Sequence, residues 1–169
     1  MEESKINIII ADDNKEFCNI LNDYLLVQKD IVVIGFAANG VEALKLIKEK
    51  KPDLVVLDII MPILDGLGVL ERLNTIDLDP LPRIIVLSAV GQENISRRAI
   101  SLGADYYVVK PFDMEVLVKR IRQIVGYITD SDDVKKAITY VDNTETKINK
   151  NQLVDDILIA QITNIMHEI

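Results

Sequence analysis

The sequence predicts an α/β domain over residues 1–126: a doubly wound, five-stranded parallel sheet with five helices. Three observations predict it: five short branched apolar runs, a stretch of helical period after each, and polar groups waiting just past the ends of the runs. Runs that are apolar throughout, rather than alternating, belong to strands covered on both faces. Strand-then-helix repeats build parallel sheets with right-handed crossovers.

The first run is Ile8 to Ala11, after which Phe17, Ile20, Leu21, Tyr24 and Leu25 keep the spacing of one helix face. Asp13 to Glu16 has the form of a capping box opening that helix. Ile31 to Phe36 is the second run, followed by the stripe Val41, Leu44 and Ile47. Leu54 to Leu57 is the third, followed by Leu67, Leu70 and Leu73. Ile84 to Leu87 precedes Ile95, Ala99 and Leu102, a helix stopped by Gly103; Tyr106 to Val109 precedes Met114, Leu117, Ile121 and Ile124, stopped by Gly126. Cys18, among the helix-patterned residues, reads as a core thiol.

Past Gly126 the character changes. Residues 127–152 are polar and read as a linker with room for a short helix around Val134 to Tyr140. Residues 153–169 regain a helical stripe, Val154, Leu158, Ile162, Ile165 and Ile169, and an isolated amphipathic helix needs a partner. We expect it to be the first helix of a truncated effector domain.

Composition excludes several functions. The net charge of −8 and pI near 4.7 repel nucleic acid, and no basic patch is evident. One histidine and one cysteine cannot form a His/Cys zinc cluster, and a Ser-His-Asp apparatus is not in view. Any metal must be bound by oxygen. No apolar run approaches the roughly 18 residues of a membrane span, the N-terminus lacks the order of a signal peptide, and a lone cysteine suits a reducing compartment. The expected location is cytoplasmic, with no membrane partner.

Doubly wound sheets bind ligands at the carboxyl ends of their strands. There the sequence puts Asp12-Asp13, Asp58, Ser88 and Lys110. Three carboxylates at close range repel, and one must take up a proton unless cations neutralise the group. Lys110 supplies one positive charge, and a hard divalent ion such as magnesium would supply two more. Asp58 would then be ionised and nucleophilic toward a phosphoryl group whose oxygens the metal, the lysine and the hydroxyl of Ser88 neutralise.

On these residues, in this order and spacing, residues 5–126 resemble the receiver domains of two-component response regulators. The resemblance implies a flavodoxin-like sheet of order 2-1-3-4-5 and phosphorylation of Asp58 by a histidine kinase or histidine phosphotransferase. It implies magnesium held by Asp13, Asp58 and the Ile60 backbone carbonyl, with Asp12 acting through water. Ser88 and Lys110 would hold the phosphoryl oxygens, the lysine aimed by a cis peptide before Pro111, and Ser88 and Tyr107 would be the switch pair.

Closer still, Ala11-Asp12-Asp13-Asn14, Leu57-Asp58-Ile59-Ile60-Met61-Pro62, Val69-Leu70-Glu71-Arg72-Leu73, Gly91-Gln92-Glu93 and Lys110-Pro111-Phe112-Asp113-Met114-Glu115 resemble sporulation response regulators of endospore-forming bacteria. Ile162 to Ile169 resembles the opening helix of their DNA-binding domain. This implies a phosphorylation-dependent homodimer that contacts DNA only through the missing domain.

We expect Ser88 to move toward the phosphoryl group, Tyr107 to turn inward, and the surface of helix 4, strand 5 and helix 5 to change partner, with Arg97, Arg98, Lys119 and Arg122 as its charges. The alternative is a freestanding receiver that relays phosphate without binding DNA. An enzyme with a nucleophilic aspartate, a phosphatase or dehalogenase, would carry a second acid two residues on. Ile60 stands there, which argues against it. His167 as a phosphotransfer histidine lacks a four-helix bundle around it.

Overall fold

The structure, a computed structural model, describes residues 4–126. The expectations for the linker and the 153–169 helix lie outside the described residues.

Branched residues that cannot face water on either side make the sheet. Strands β1 (Ile6–Ala11), β2 (Ile31–Ala37), β3 (Leu54–Leu57), β4 (Arg83–Ser88) and β5 (Tyr106–Val109) pair in parallel in the order β2-β1-β3-β4-β5. Successive side chains of β1 point to opposite cores. Ile8 and Ile10 pack with Leu21 and Leu25 of α1 (Lys15–Leu26) and Leu117 and Ile121 of α5 (Met114–Gly126). Ile9 and Ala11 pack with residues of α2 (Gly40–Lys50), α3 (Gly66–Leu73) and α4 (Glu93–Ser101) on the other face.

Strands β1, β2 and β4 run longer than the apolar runs that announce them. Asn7 interrupts the first run, yet it pairs with Val32 and its amide donates to Asp53 Oδ2 at 2.7 Å, so β1 begins at Ile6. The capping box at Asp13 does not form. The cap is Asn14, whose side chain accepts from the Phe17 amide, while Asp12 Oδ1 turns back to accept from the Asn14 amide at 2.9 Å. Ile20 and Val41 are exposed rather than in the core. The buried arcs centre on Cys18, Leu21 and Leu25 in α1 and on Ala43, Leu44 and Ile47 in α2, and Val41 sits roughly 100° past Gly40.

Gly66 fixes how close α3 starts to the end of β3. A Cβ there would stand 2.3 Å from the Asp58 carbonyl oxygen, and the Gly66 amide donates to Ile59 O at 2.8 Å. Only glycine admits that approach, which folds the β3–α3 loop over the strand ends.

Candidate functional site

The parallel ladder aims five polar groups at one crevice. Past β1, the Asp12 amide donates to Ala37 O and the Asp58 amide donates to Ala11 O, both at 2.9 Å, so neighbouring strands end at the same level. The Lys110 amide donates to Ser88 O at 2.9 Å and does the same for β4 and β5. Asp12, Asp58 and Ser88 are buried, and Asp13 is exposed.

Carboxylate oxygens of Asp12, Asp13 and Asp58 lie within 4.8 Å of one another. An all-oxygen, multiply anionic donor set suits a hard divalent cation. Lys110 Nζ is 2.6 Å from Asp12 Oδ2 and 4.0 Å from Asp58 Oδ2. The peptide between Lys110 and Pro111 is cis, as expected. Burial pushes the Asp58 carboxyl above the usual carboxylate range; Lys110 pulls it back, Asp12 pushes it further, and the Ile60 amide and Ser88 lower it. The Ile60 amide donates to Asp58 Oδ1 at 3.4 Å, and the Ile60 side chain is 60% exposed.

Ser88 and Tyr107 meet through Val90. The Ser88 hydroxyl accepts from the Val90 amide at 3.3 Å, and the Tyr107 hydroxyl donates to the Val90 carbonyl. Tyr107 is already inward, only 2% exposed. Burial raises its phenol above the ordinary range, with Ser88 lowering it and Asp58 raising it.

Of the four cations assigned to the helix 4, strand 5, helix 5 surface, two are tied to other elements. Arg98 pairs with Glu71 of α3 at 2.6 Å, and Arg122 clasps Asp30 on the α1 side at 2.8 and 3.0 Å. Arg97 pairs with Glu93 of its own helix, and Lys119 lies 4.0 Å from Glu115. Arg120 stacks over β5, 4.8 Å from the centre of the Tyr106 ring. Sequence reading also passed over Phe17 as a site residue. Its ring lies 4.0 Å beneath Lys110 Nζ, and its place in the first turn of α1, at the carboxyl edge of the sheet, was the available signal.

The response regulator receiver domain model matches residues 8–122, which reach all five strands and the whole crevice. The chain belongs to the receiver domain family. Such receivers are regulatory phosphoacceptors rather than enzymes with turnover of their own, they interact with histidine kinases or phosphotransferases, and they bind magnesium at an aspartate cluster. Among solved structures, the receiver is similar to the response regulator domain of CheB from Thermotoga maritima, at 29% identity over 72% of this chain and 97% of that one, TM-score 0.66. The signal receiver domain of the response regulator NarL from Mycobacterium tuberculosis matches at 27% identity over 73% and 98%, TM-score 0.69. A chain of the CheX–CheY–BeF3–Mg2+ complex from Borrelia burgdorferi matches at 30% identity over 72% and 90%, TM-score 0.64. Among the described residues no helix is long and apolar enough to cross a membrane.

Proposed function

We propose that Asp58 is the phosphoacceptor of a cytoplasmic, sporulation-type transcription regulator, charged by a histidine kinase or histidine phosphotransferase. The observation that carries it is the Asp58 carboxylate at the end of β3, with Lys110 Nζ 4.0 Å away and oxygens of Asp12 and Asp13 within 4.8 Å. An Asp58 oxygen attacks phosphorus, the bond from phosphorus to the donor imidazole breaks, and the imidazole keeps the electron pair and takes a proton. Lys110 and Ser88 hold the phosphoryl oxygens as charge shifts onto them. Asp13, Asp58 and the Ile60 carbonyl would hold magnesium, with Asp12 acting through water; when bound it neutralises the same oxygens.

The new acyl phosphate adds roughly −1.5 to −2 charges beside Ser88. Ser88 moving toward it alters the support under Val90 and Tyr107, and through them the surface of α4, β5 and α5. Support for the sporulation type comes from the sequence runs around Asp58 and Lys110 and from Ile162 to Ile169, which resembles the start of an effector domain. A phosphorylation-dependent homodimer and DNA contact through that domain follow from the same resemblance.

Incubation of the full chain with acetyl phosphate and magnesium, read by intact mass, tests the acceptor. A phosphate-sized increment lost in Asp58→Asn is expected; no increment in the wild type overturns the assignment. A gel-shift of the full-length protein, with and without phosphodonor, tests the DNA-binding half.

A further inference from the structure

We propose that Phe17 is a positioning residue for phosphoryl transfer, its ring serving as the platform that holds the Lys110 ammonium beside Asp58. The proposal rests on the reading of Asp58 as acceptor.

A lysine is a poor choice for fixed geometry unless something confines it, because its four-carbon stem is flexible and its charge is a mobile point. Lys110 is confined on two sides. Asp12 Oδ2 takes a direct ion pair at 2.6 Å, and the Phe17 ring centre lies 4.0 Å from Nζ, inside the distance at which a ring face attracts a cation. Asp58 Oδ2, at 4.0 Å, is the looser partner.

The ring itself is braced. Phe17 sits in the first turn of α1, where its amide donates to the Asn14 cap at 3.1 Å, so the backbone beneath the ring is tied to the turn that carries Asp12 and Asp13. It meets Phe112 in a T-shaped contact at 6.1 Å between centres and 75° between planes, and Phe112 stands two residues past Lys110. The aromatic pair thus spans from α1 to the β5–α5 loop and encloses the lysine between its own chain neighbour and the acidic turn. Each anchor of the platform belongs to an element that also carries a site residue.

Two consequences distinguish this from simple packing. An aliphatic side chain of similar volume would fill the space and leave Nζ without its second restraint. An aromatic replacement would preserve the restraint. Losing the ring's hold on Lys110 lowers the rate of Asp58 phosphorylation by up to about thirtyfold, the full worth of one partly buried cation–π contact.

The test compares Phe17→Leu, Phe17→Met and Phe17→Tyr in the full chain. In metal-free protein, the Lys110 ε-methylene protons are read by carbon–proton correlation NMR for the upfield displacement a ring face imposes. Phosphorylation by acetyl phosphate and magnesium is then timed by intact mass, with Asp58→Asn as control. We expect the displacement in wild type and Phe17→Tyr and its loss in the aliphatic variants, with the rate falling only where the displacement is lost; if leucine unfolds the domain, methionine carries the comparison. A wild type without the displacement, or aliphatic variants that phosphorylate at the wild-type rate, overturns the proposal. A wild type that takes no phosphate, or an Asp58→Asn chain that still does, overturns the acceptor reading and the role in transfer with it, while the metal-free displacement separately decides whether Phe17 holds Lys110.

Discussion

Ile63 stands in a conformation its side chain opposes. Its φ is 70°, and the Leu64 amide donates to Pro62 O at 2.8 Å, so Ile63 is the central residue of a three-residue turn of the positive-φ hand, a strained class. A β-branched residue there costs on the order of 1–3 kcal/mol. The turn persists because both flanks are fixed: the Gly40 amide donates to Leu64 O at 2.8 Å, and Gly66 is pressed against the Asp58 backbone. Ile63→Gly removes the steric opposition. Against the gain stand about 0.4–1 kcal/mol for the added freedom of the unfolded chain and a few tenths of a kcal/mol for lost burial, small because Ile63 is 82% exposed. The net is about 1 kcal/mol of stabilisation, or about 3–6 °C in Tm for a domain of this size. Urea titration followed by far-UV circular dichroism reads it as a higher midpoint with unchanged slope. Ile63→Ala, which keeps a Cβ, gains less. A glycine variant with an unchanged or lowered midpoint refutes the argument that the turn stores strain.

Four further outcomes follow from the site and its surroundings. Because burial raises the folded Asp58 carboxyl above its unfolded value, its contribution to stability is fully present below the unfolded pKa and lost as pH rises through the folded one. In metal-free protein Asp58→Asn therefore raises the urea midpoint at pH 7, and the gain shrinks as pH falls through the raised folded pKa toward the ordinary carboxylate value; a gain independent of pH contradicts this. Arg122→Ala removes the clasp on Asp30 and should cost at most about 1 kcal/mol after solvent screening; since Arg122 holds Asp30 below the usual carboxylate range, the loss shows at neutral pH, fades as pH falls through the lowered pKa, and is checked by urea melts at two salt concentrations. Ile60→Asn puts a hydrogen-bonding side chain at an exposed position beside Asp58, where it can orient a water behind phosphorus; the phosphoryl lifetime on Asp58 should shorten, and an unchanged lifetime by intact mass counts against it. The Cys18 thiol, pushed up to about 11 chiefly by burial, should react with a disulfide reagent at neutral pH only after urea unfolds the domain, as absorbance of the released thiolate would show.

The sheet was legible because each of its strands carries a branched apolar run that water does not alternate with, and the crevice was legible because a parallel sheet presents all its strand ends on one edge. Asp12, Asp13, Asp58, Ser88 and Lys110 could be placed there from strand ends alone. Residues whose partners lie on distant elements could not. Arg98 meets Glu71 and Arg122 meets Asp30 across 27 and 92 positions of sequence, and no helical spacing encodes such pairs. Phe17 was hidden by its own pattern, since a residue at helical spacing from Leu21 and Tyr24 reads as core whether or not its ring also faces a lysine. Ile63 was hidden for the opposite reason: local propensity argues against a positive φ at isoleucine, and only the fixed flanks of the loop impose it.

The inward Tyr107 changes how the proposed switch must work. If the tyrosine starts buried, its swing from solvent to core cannot be the event that reports phosphorylation; what remains movable is its hydrogen bond. One residue carries both ends of that linkage, for Val90 offers its amide to Ser88 and its carbonyl to Tyr107. A Ser88 hydroxyl drawn to a phosphoryl oxygen withdraws an acceptor from the Val90 amide. The β4–α4 loop then keeps at Val90 its hydrogen bond from Tyr107. Val90 stands three residues before α4 begins, so any shift of its backbone is passed to the start of that helix rather than to the sheet, whose strands are buried on both faces. The signal on this reading is a re-aiming of α4 about Val90, with Tyr107 as its fixed post.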